Sequence, residues 1–214
     1  MYTQYNERTF CLDHPLLGHK LTTIREETAN TDTFRRITRE IGTIMAVELT
    51  RTLPMTTKRI MTPLAPMDAP ILDCKKLCLA PIMRAGMGLL DGFSDIIPLA
   101  RIGHIGLYRD HNTLEAKEYF CKMPNMLGER LVILIDPMLA TGNTAVAALG
   151  MIKERGAKNI IFANMVAAPE GITKVNTEHP DVKVYTVAVD EHLNENAYIV
   201  PGLGDAGDRT YGTR

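Results

Sequence analysis

LVILIDPMLATGNTAV, residues 131–146, decides the fold. Its first five residues, Leu131 to Ile135, form a continuous apolar run of strand length, as a central parallel strand buried on both faces requires. Asp136 ends the run. Ala140, Thr141, Gly142, Asn143 and Thr144 then lead into a helix expected from about Thr144 to Arg155, with Gly156 as its C′ residue. Gly142 permits a backbone shape that turns successive N–H groups toward one point, and the helix N-terminus adds orphan donors and a positive dipole end. With the hydroxyls of Thr141 and Thr144, this loop reads as a phosphate cradle. The plainer alternative is an ordinary strand-turn-helix with a threonine cap. The spacing does not match G-x-x-x-x-G-K-[ST], which argues against a nucleoside-triphosphate loop. A carboxylate at the mouth of such a cradle repels phosphate unless sugar hydroxyls donate to it or a divalent cation neutralises it. Phosphate together with a diol suggests a ribose 5-phosphate.

Outward from this stretch, strands and helices alternate. NIIFANMVAA (159–168) and VKVYTVAV (182–189) read as further strands, with a helix after Pro169 between them. Upstream, residues 77–82 form a short apolar run followed by MRAGMG and a helix-like stretch over 89–97, ended by Pro98. The first third reads as helical: Thr31 or Asp32 caps a helix carrying Phe34, Ile37, Ile41 and Ile44, stopped before Pro54. RIGHIGLYRD and EYFCKM flank a polar stretch and look like the two strands of a projecting arm. The pattern predicts an α/β fold, an open and mostly parallel sheet flanked by helices. A single domain is expected, with a core over about 70–214, an N-terminal helical segment over about 12–53 and a β-arm over about 101–123. Ligands in such sheets sit beyond the carboxyl ends of the strands.

Composition narrows the function. The 214 residues are 45% hydrophobic and 23% charged, with net charge −1, so the chain as a whole is no electrostatic binder of nucleic acid or anionic membrane. Cys74 and Cys78 have no second pair and no histidine cluster at zinc spacing. The first fifteen residues contain no apolar leader, and no apolar run reaches membrane-spanning length. The expected setting is the cytoplasm, with reduced thiols.

The C-terminal stretch YIVPGLGDAGDR (198–209) contains G-x-G-x-x-G from Gly202. As a dinucleotide fingerprint it would need a strand before it, a helix after it and an acid about twenty residues on; too little chain follows.

Four ordered stretches carry a resemblance. VILIDPMLATGNTA is similar to the phosphoribosyl-diphosphate (PRPP) loop of the type I phosphoribosyltransferases. PIMRAGMGLLDG (81–92), IGHIGLYRD (102–110) and YIVPGLGDAGDR also match that superfamily, as do DHPL (13–16) and AAPEG (167–171). Pro137, where most members carry a second acid, makes the loop resemble the uracil phosphoribosyltransferases. Asn143 departs from the pattern, standing where a second glycine is expected.

The resemblance implies transfer of the phosphoribosyl group of PRPP to uracil. It implies PRPP contacts from Arg84, Arg109, Asp136, Pro137, Met138, Leu139, Ala140, Thr141, Gly142, Asn143, Thr144 and Asp205, with Asp136, Arg84 and Asp205 as the catalytic set. Ile199, Gly204, Asp205 and Ala206 are the implied uracil contacts, within a base-binding segment over about 198–209. Arg84 suits the pyrophosphate, since a guanidinium grips two oxygens at once; on local grounds it also reads as a solvated loop residue, and Arg109 as a surface arginine. The polar stretch DHNTLEAK (110–117) reads either as a flap or as a dimer contact. Mg²⁺ is the expected cofactor, held mainly by PRPP and water because Pro137 replaces an acid. A GTP effector and a homodimer or larger homo-oligomer are implied as well. The competing readings are a transferase for another base, and a regulator that keeps the fold and binds RNA or a nucleotide. The latter needs a basic face, and the cluster of Arg35, Arg36 and Arg39 reads as a solvated helix face.

Overall fold

The computed structural model describes residues 2–73, 77–109 and 116–213. The chain opens with two short strands, β1 (Tyr2–Gln4) and β2 (Thr9–Leu12), and then two helices, α1 (Pro15–Arg25) and α2 (Thr31–Leu49). A ribbon of β3 (Met55–Met61) and β4 (Pro66–Leu72) precedes the alternating part of the fold. This continues through β5 (Leu77–Met83), α3 (Gly86–Ile96), β6 (Arg101–Ile102), β7 (His104–Arg109) and β8 (Ala116–Lys122). Next come β9 (Leu131–Ile135), β10 (Met138–Leu139), α4 (Asn143–Glu154), β11 (Asn159–Ala167) and α5 (Pro169–Glu178). The chain closes with β12 (Lys183–Val189), β13 (His192–Leu193), β14 (Ile199–Val200) and α6 (Ala206–Tyr211).

The main sheet runs β1-β2-β12-β11-β9-β5-β7-β8, with β10 on β11 and β6 on β5. Pairing is parallel from β2 through to β7 and antiparallel only in the outermost pairs, β1/β2 and β7/β8. This is the open, mostly parallel sheet that the alternation predicts. Strand β9 lies between β11 and β5, in register Ile133 to Ile161 and Ile133 to Leu79. Its period-2 geometry sends Val132 and Leu134 to one face and Ile133 and Ile135 to the other. The second pair joins a core built with α1, α2 and α3; the first joins one built with α4 and α5. An uninterrupted apolar strand is thus explained by helices on both sides.

Helix α2 forms because Phe34, Ile37, Ile41 and Met45 recur on one buried face. Its cap is Asn30, not Thr31 or Asp32: the Asn30 side chain accepts from the Thr33 N–H at 2.9 Å. Helix α3 begins at Gly86, three residues before the expected start, because Gly86 and Gly88 are buried inside its first turn instead of forming a loop. Gly156 ends α4 at φ +92°, in the left-handed conformation expected of a C′ residue.

Two parts of the first third are strands where the sequence reads as helix. Residues 2–12 supply β1 and β2, which extend the sheet beyond β12. The ribbon β3/β4 has both faces exposed to solvent, with Met61 at 73% and Leu64 at 97% exposure. An arm whose faces meet no core of its own chain has no inward side to impose alternation. The expected arm over 101–123 is also present as β7/β8, but the tip read as a flap or a dimer contact lies largely outside the described residues, as does Cys74.

Candidate active site

The carboxyl ends of β5 and β9 and the C-terminal segment converge on a cavity of about 390 Å³. Its size suits a small-molecule site. Asp136, Met138, Ala140, Thr141, Asn143 and Thr144 form one wall. Ile199, Gly204, Asp205 and Ala206 form the facing wall. Leu139 and Gly142 line an adjoining recess of about 90 Å³ around the same loop. Pro137 is buried behind it, its carbonyl accepting from the Met165 and Val166 N–H groups at 2.9 and 3.2 Å. Residues 55 or more apart in sequence thus meet across one space.

Gly142 adopts φ +81°, a conformation that costs other residues about 1–2 kcal/mol. It is the backbone switch between β10 and α4. Asn143, read from sequence as the questionable position, keeps ordinary helical backbone as the first residue of α4. Its side chain instead reaches sideways, its Oδ1 accepting from Lys174 Nζ at 2.5 Å. The Asn143 N–H makes a long contact of 3.4 Å to Thr141 Oγ1.

Asp136, a half-buried residue, stands at the end of β9 in the cavity wall. Desolvation pushes its pKa up to about 7; the charge of Asp205 opposite adds to the rise, and the Met138 N–H hydrogen bond opposes it. Ionising Asp136 therefore becomes favourable when something donates to it or when positive charge enters the cavity.

The C-terminal wall is held by long-range clamps. Arg25 of α1 pairs through both nitrogens with Asp190, at 2.8 and 2.6 Å, and donates to the Gly202 carbonyl at 2.6 Å. Asp190 in turn accepts from the Gly202 N–H at 2.8 Å, which fixes the turn at φ +61°. Arg209 donates to the carbonyls of Ile24, Glu26, Ala29 and Leu203 and stacks over the Phe34 ring at 4.6 Å. The glycine-rich stretch is not wholly loop: Asp205 caps α6, accepting from the Asp208 N–H at 2.8 Å, and Gly207 lies inside that helix. The peptide bonds Met83–Arg84 and Val200–Pro201 are cis.

Not every residue expected at the site lines the cavity. Arg84 lies at the rim, one residue before Ala85, which does line it. The Arg84 guanidinium is exposed, 3.9 Å from the Asp208 carboxylate and 5.5 Å from the centre of the Tyr211 ring. The Tyr211 hydroxyl donates to the Arg84 carbonyl at 2.9 Å, tying this loop to α6. Arg109 ends β7, and the backbone there pairs with Ala116. Conversely, the sequence reading omitted Asn196 and Ala197, which also line the cavity, as does Tyr198, the first residue of the expected base-binding segment. A signal existed: Asn194 Oδ1 accepts from the N–H groups of Asn196 and Tyr198, an asparagine turn of a kind that composition suggests. Arg25, Asp190 and Arg209 carry no such local signal. The basic cluster of α2 is engaged within the fold: Arg35 donates to the Thr210 carbonyl, Arg36 pairs with Glu40, and Arg39 with Asp95. Among the described residues no helix is long and apolar enough to cross a membrane.

A family model described as uracil phosphoribosyltransferase matches residues 11–213. The uracil phosphoribosyltransferase of Rhizobium rhizogenes is 57% identical over 203 residues, covering 95% of this chain and 97% of that one. That of Brucella anthropi is 55% identical, covering 95% and 98%. Among solved structures, the AQ2163 protein from Aquifex aeolicus superimposes with a TM-score of 0.90 at 33% identity, over 95% of this chain and 97% of the other. An adenine phosphoribosyl transferase from Trypanosoma brucei shares the fold with a TM-score of 0.60 at 15% identity, over 96% and 91% of the two chains. These similarities favour base transfer over the regulatory alternative. The chain belongs to the uracil phosphoribosyltransferase family.

Proposed function

We propose that this chain transfers the 5-phosphoribosyl group of PRPP to N1 of uracil, giving UMP and diphosphate. The observation that carries the reading is the single cavity between the 140–144 loop and the C-terminal segment, with Asp136 at its wall. In this reading the N–H groups and hydroxyls of Ala140, Thr141, Gly142, Asn143 and Thr144 hold the 5-phosphate. Asp136 accepts from the ribose hydroxyls, which answers the cost of ionising it beside Asp205. The backbone around Gly204, Asp205 and Ala206, together with Ile199, reads the acceptor–donor–acceptor edge of uracil. Cytosine presents the opposite pattern at two of those atoms and leaves buried partners unpaired, a penalty that supports discrimination of roughly 10⁴. Arg84, at the rim, draws the leaving pyrophosphate. Bond cleavage at ribose C1 builds positive charge on the sugar, and the two carboxylates on the cavity wall favour that charge.

Among the described residues no cluster of three or more side chains of metal-ligand type is present. Asp136 and Asp205, two carboxylates facing one cavity, suit Mg²⁺ held mainly by PRPP oxygens and water. Such an ion would supply positive charge to the leaving pyrophosphate. The exposed apolar residues of the β3/β4 ribbon favour a homo-oligomer in which a second copy covers the arm; light scattering of the wild type against a variant lacking residues 58–69 checks this.

The test is a panel of uracil, cytosine, hypoxanthine, guanine and adenine, each with PRPP and Mg²⁺, scored by pyrophosphate release. Release with uracil alone is expected, and no release with uracil overturns the reading. Arg84→Ala is expected to lose most UMP formation while remaining folded; near-normal turnover removes Arg84 from the mechanism.

A further inference from the structure

Helix α5 lies against the phosphate loop. A Cβ built on Gly142 would sit 3.1 Å from the Gly171 carbonyl oxygen and 3.2 Å from the Lys174 Cβ. From that position Lys174 Nζ donates to Asn143 Oδ1 at 2.5 Å. Its acidic neighbour Glu178 is more distant, at 3.9 Å, and both of these side chains are substantially exposed. The firm partner of the ammonium is therefore a neutral amide at the first turn of α4. A cation near a helix N-terminus meets like-signed potential and is costly there until an anion arrives.

The amide of Asn143 has two nearly isosteric orientations, one presenting a carbonyl oxygen and the other an NH₂ group. An ammonium has three donors and no acceptor, so it can bind only the oxygen end. With that oxygen held by α5, the NH₂ group occupies the other end of the planar amide, on a residue that lines the cavity. Polarisation by the ammonium also strengthens those N–H donors. Released from Lys174, the amide is free to turn its oxygen toward the cavity, where it would repel a phosphate.

We propose that Lys174 is a positioning residue for phosphate binding, acting through Asn143 by fixing which end of the amide faces the phosphate monoester of the sugar. This rests on the reading of the 140–144 loop as the phosphate seat. It also gives a purpose to the one departure of that loop from the glycine pattern: Asn143 and Lys174 work as a pair.

Lys174→Met keeps the length and helix propensity of the side chain while removing the donor. It is expected to raise KM for PRPP about tenfold, as loss of one charge-assisted hydrogen bond implies, with little change in KM for uracil. Lys174→Arg, which keeps donors in reach, is expected to restore most of the affinity. In an Asn143→Gly background, where there is no amide to orient, Lys174→Met should change KM for PRPP less than about twofold. Calorimetric binding of ribose 5-phosphate should follow the same order. Three results would overturn the inference: no change in the single variant, an equal loss in both backgrounds, or a parallel rise of both KM values with a lowered melting temperature. Ribose 5-phosphate binding does not depend on uracil turnover. An inactive wild type that still binds it sinks the base-transfer reading while leaving Lys174 fully tested.

Discussion

Replacing Asp136 by Asn should stabilise the protein at neutral and alkaline pH while abolishing its activity. The ordinary value for this carboxyl is 3.8, and desolvation in the fold raises it to about 7. At about 1.4 kcal/mol per unit, the difference of some 3 units is worth about 4 kcal/mol. Water at the cavity mouth screens part of this, so about 2–4 kcal/mol is the expected range. The sign follows from proton uptake. Between about pH 4 and pH 7 the folded protein keeps a proton that the unfolded chain releases, so folding stability falls as pH rises through that window and levels off above it. Asn keeps the shape and an oxygen to accept from the Met138 N–H, but it never ionises beside Asp205. The stability gain of Asp136→Asn should therefore be near zero at about pH 4 and reach its full size at about pH 8. Urea unfolding of both proteins at the two pH values, with m compared to check that the unfolding transition is the same, reads the gain directly. UMP formation by the variant should fall to a small fraction of wild type. A gain independent of pH, or a variant less stable than wild type at pH 8, would refute the account of Asp136 as a carboxylate held under strain for its ligand.

Other perturbations separate the parts of the site. Arg209→Met removes donors from the carbonyls of Ile24, Glu26, Ala29 and Leu203 and the cation over Phe34; a loss of about 3 kcal/mol in urea unfolding is expected, with a raised KM for uracil. A loss below about 0.5 kcal/mol would mean that water replaces the guanidinium. Asp190→Ala leaves Arg25 and the Gly202 N–H without their partner and should cost about 3 kcal/mol, whereas the double variant with Arg25→Ala should cost less than the sum of the two. Gly142→Ala forces a side chain into φ +81° against the Gly171 carbonyl. It should raise KM for PRPP by a much larger factor than KM for uracil, and an equal rise in both would move the loop's role from phosphate binding to general stability.

The alternation of apolar strands with helices was legible because each signal is local. Leu131 to Ile135 are apolar in succession because helices cover both sheet faces, and that cause leaves its mark in five adjacent residues. Gly156 marks the end of α4 for the same reason: a left-handed residue is needed there whatever the rest of the chain does. The β3/β4 ribbon was not legible, since its residues face solvent on both sides and no period distinguishes inside from outside. The strands β1 and β2 were missed because they are short and lie at the sheet's edge, where most of their pattern is exposed or half-buried.

At the site, the sequence by itself determined the chemistry of one wall: an acid ending a strand, a turn through Gly142 and hydroxyls opening a helix all fall within nine residues. It also marked the C-terminal glycines as a place where backbone is bare. What only the tertiary structure decided is which distant groups hold those walls in place. Arg25 reaches Asp190 across 165 positions, Arg209 reaches Ile24 across 185, and Lys174 reaches Asn143 across 31. A turn residue answers to its own φ and ψ, so its identity is written where it acts. A clamp answers to a distance in space, and an arginine on a helix reads as surface until folding brings a buried carboxylate or a row of carbonyls within hydrogen-bonding reach of it.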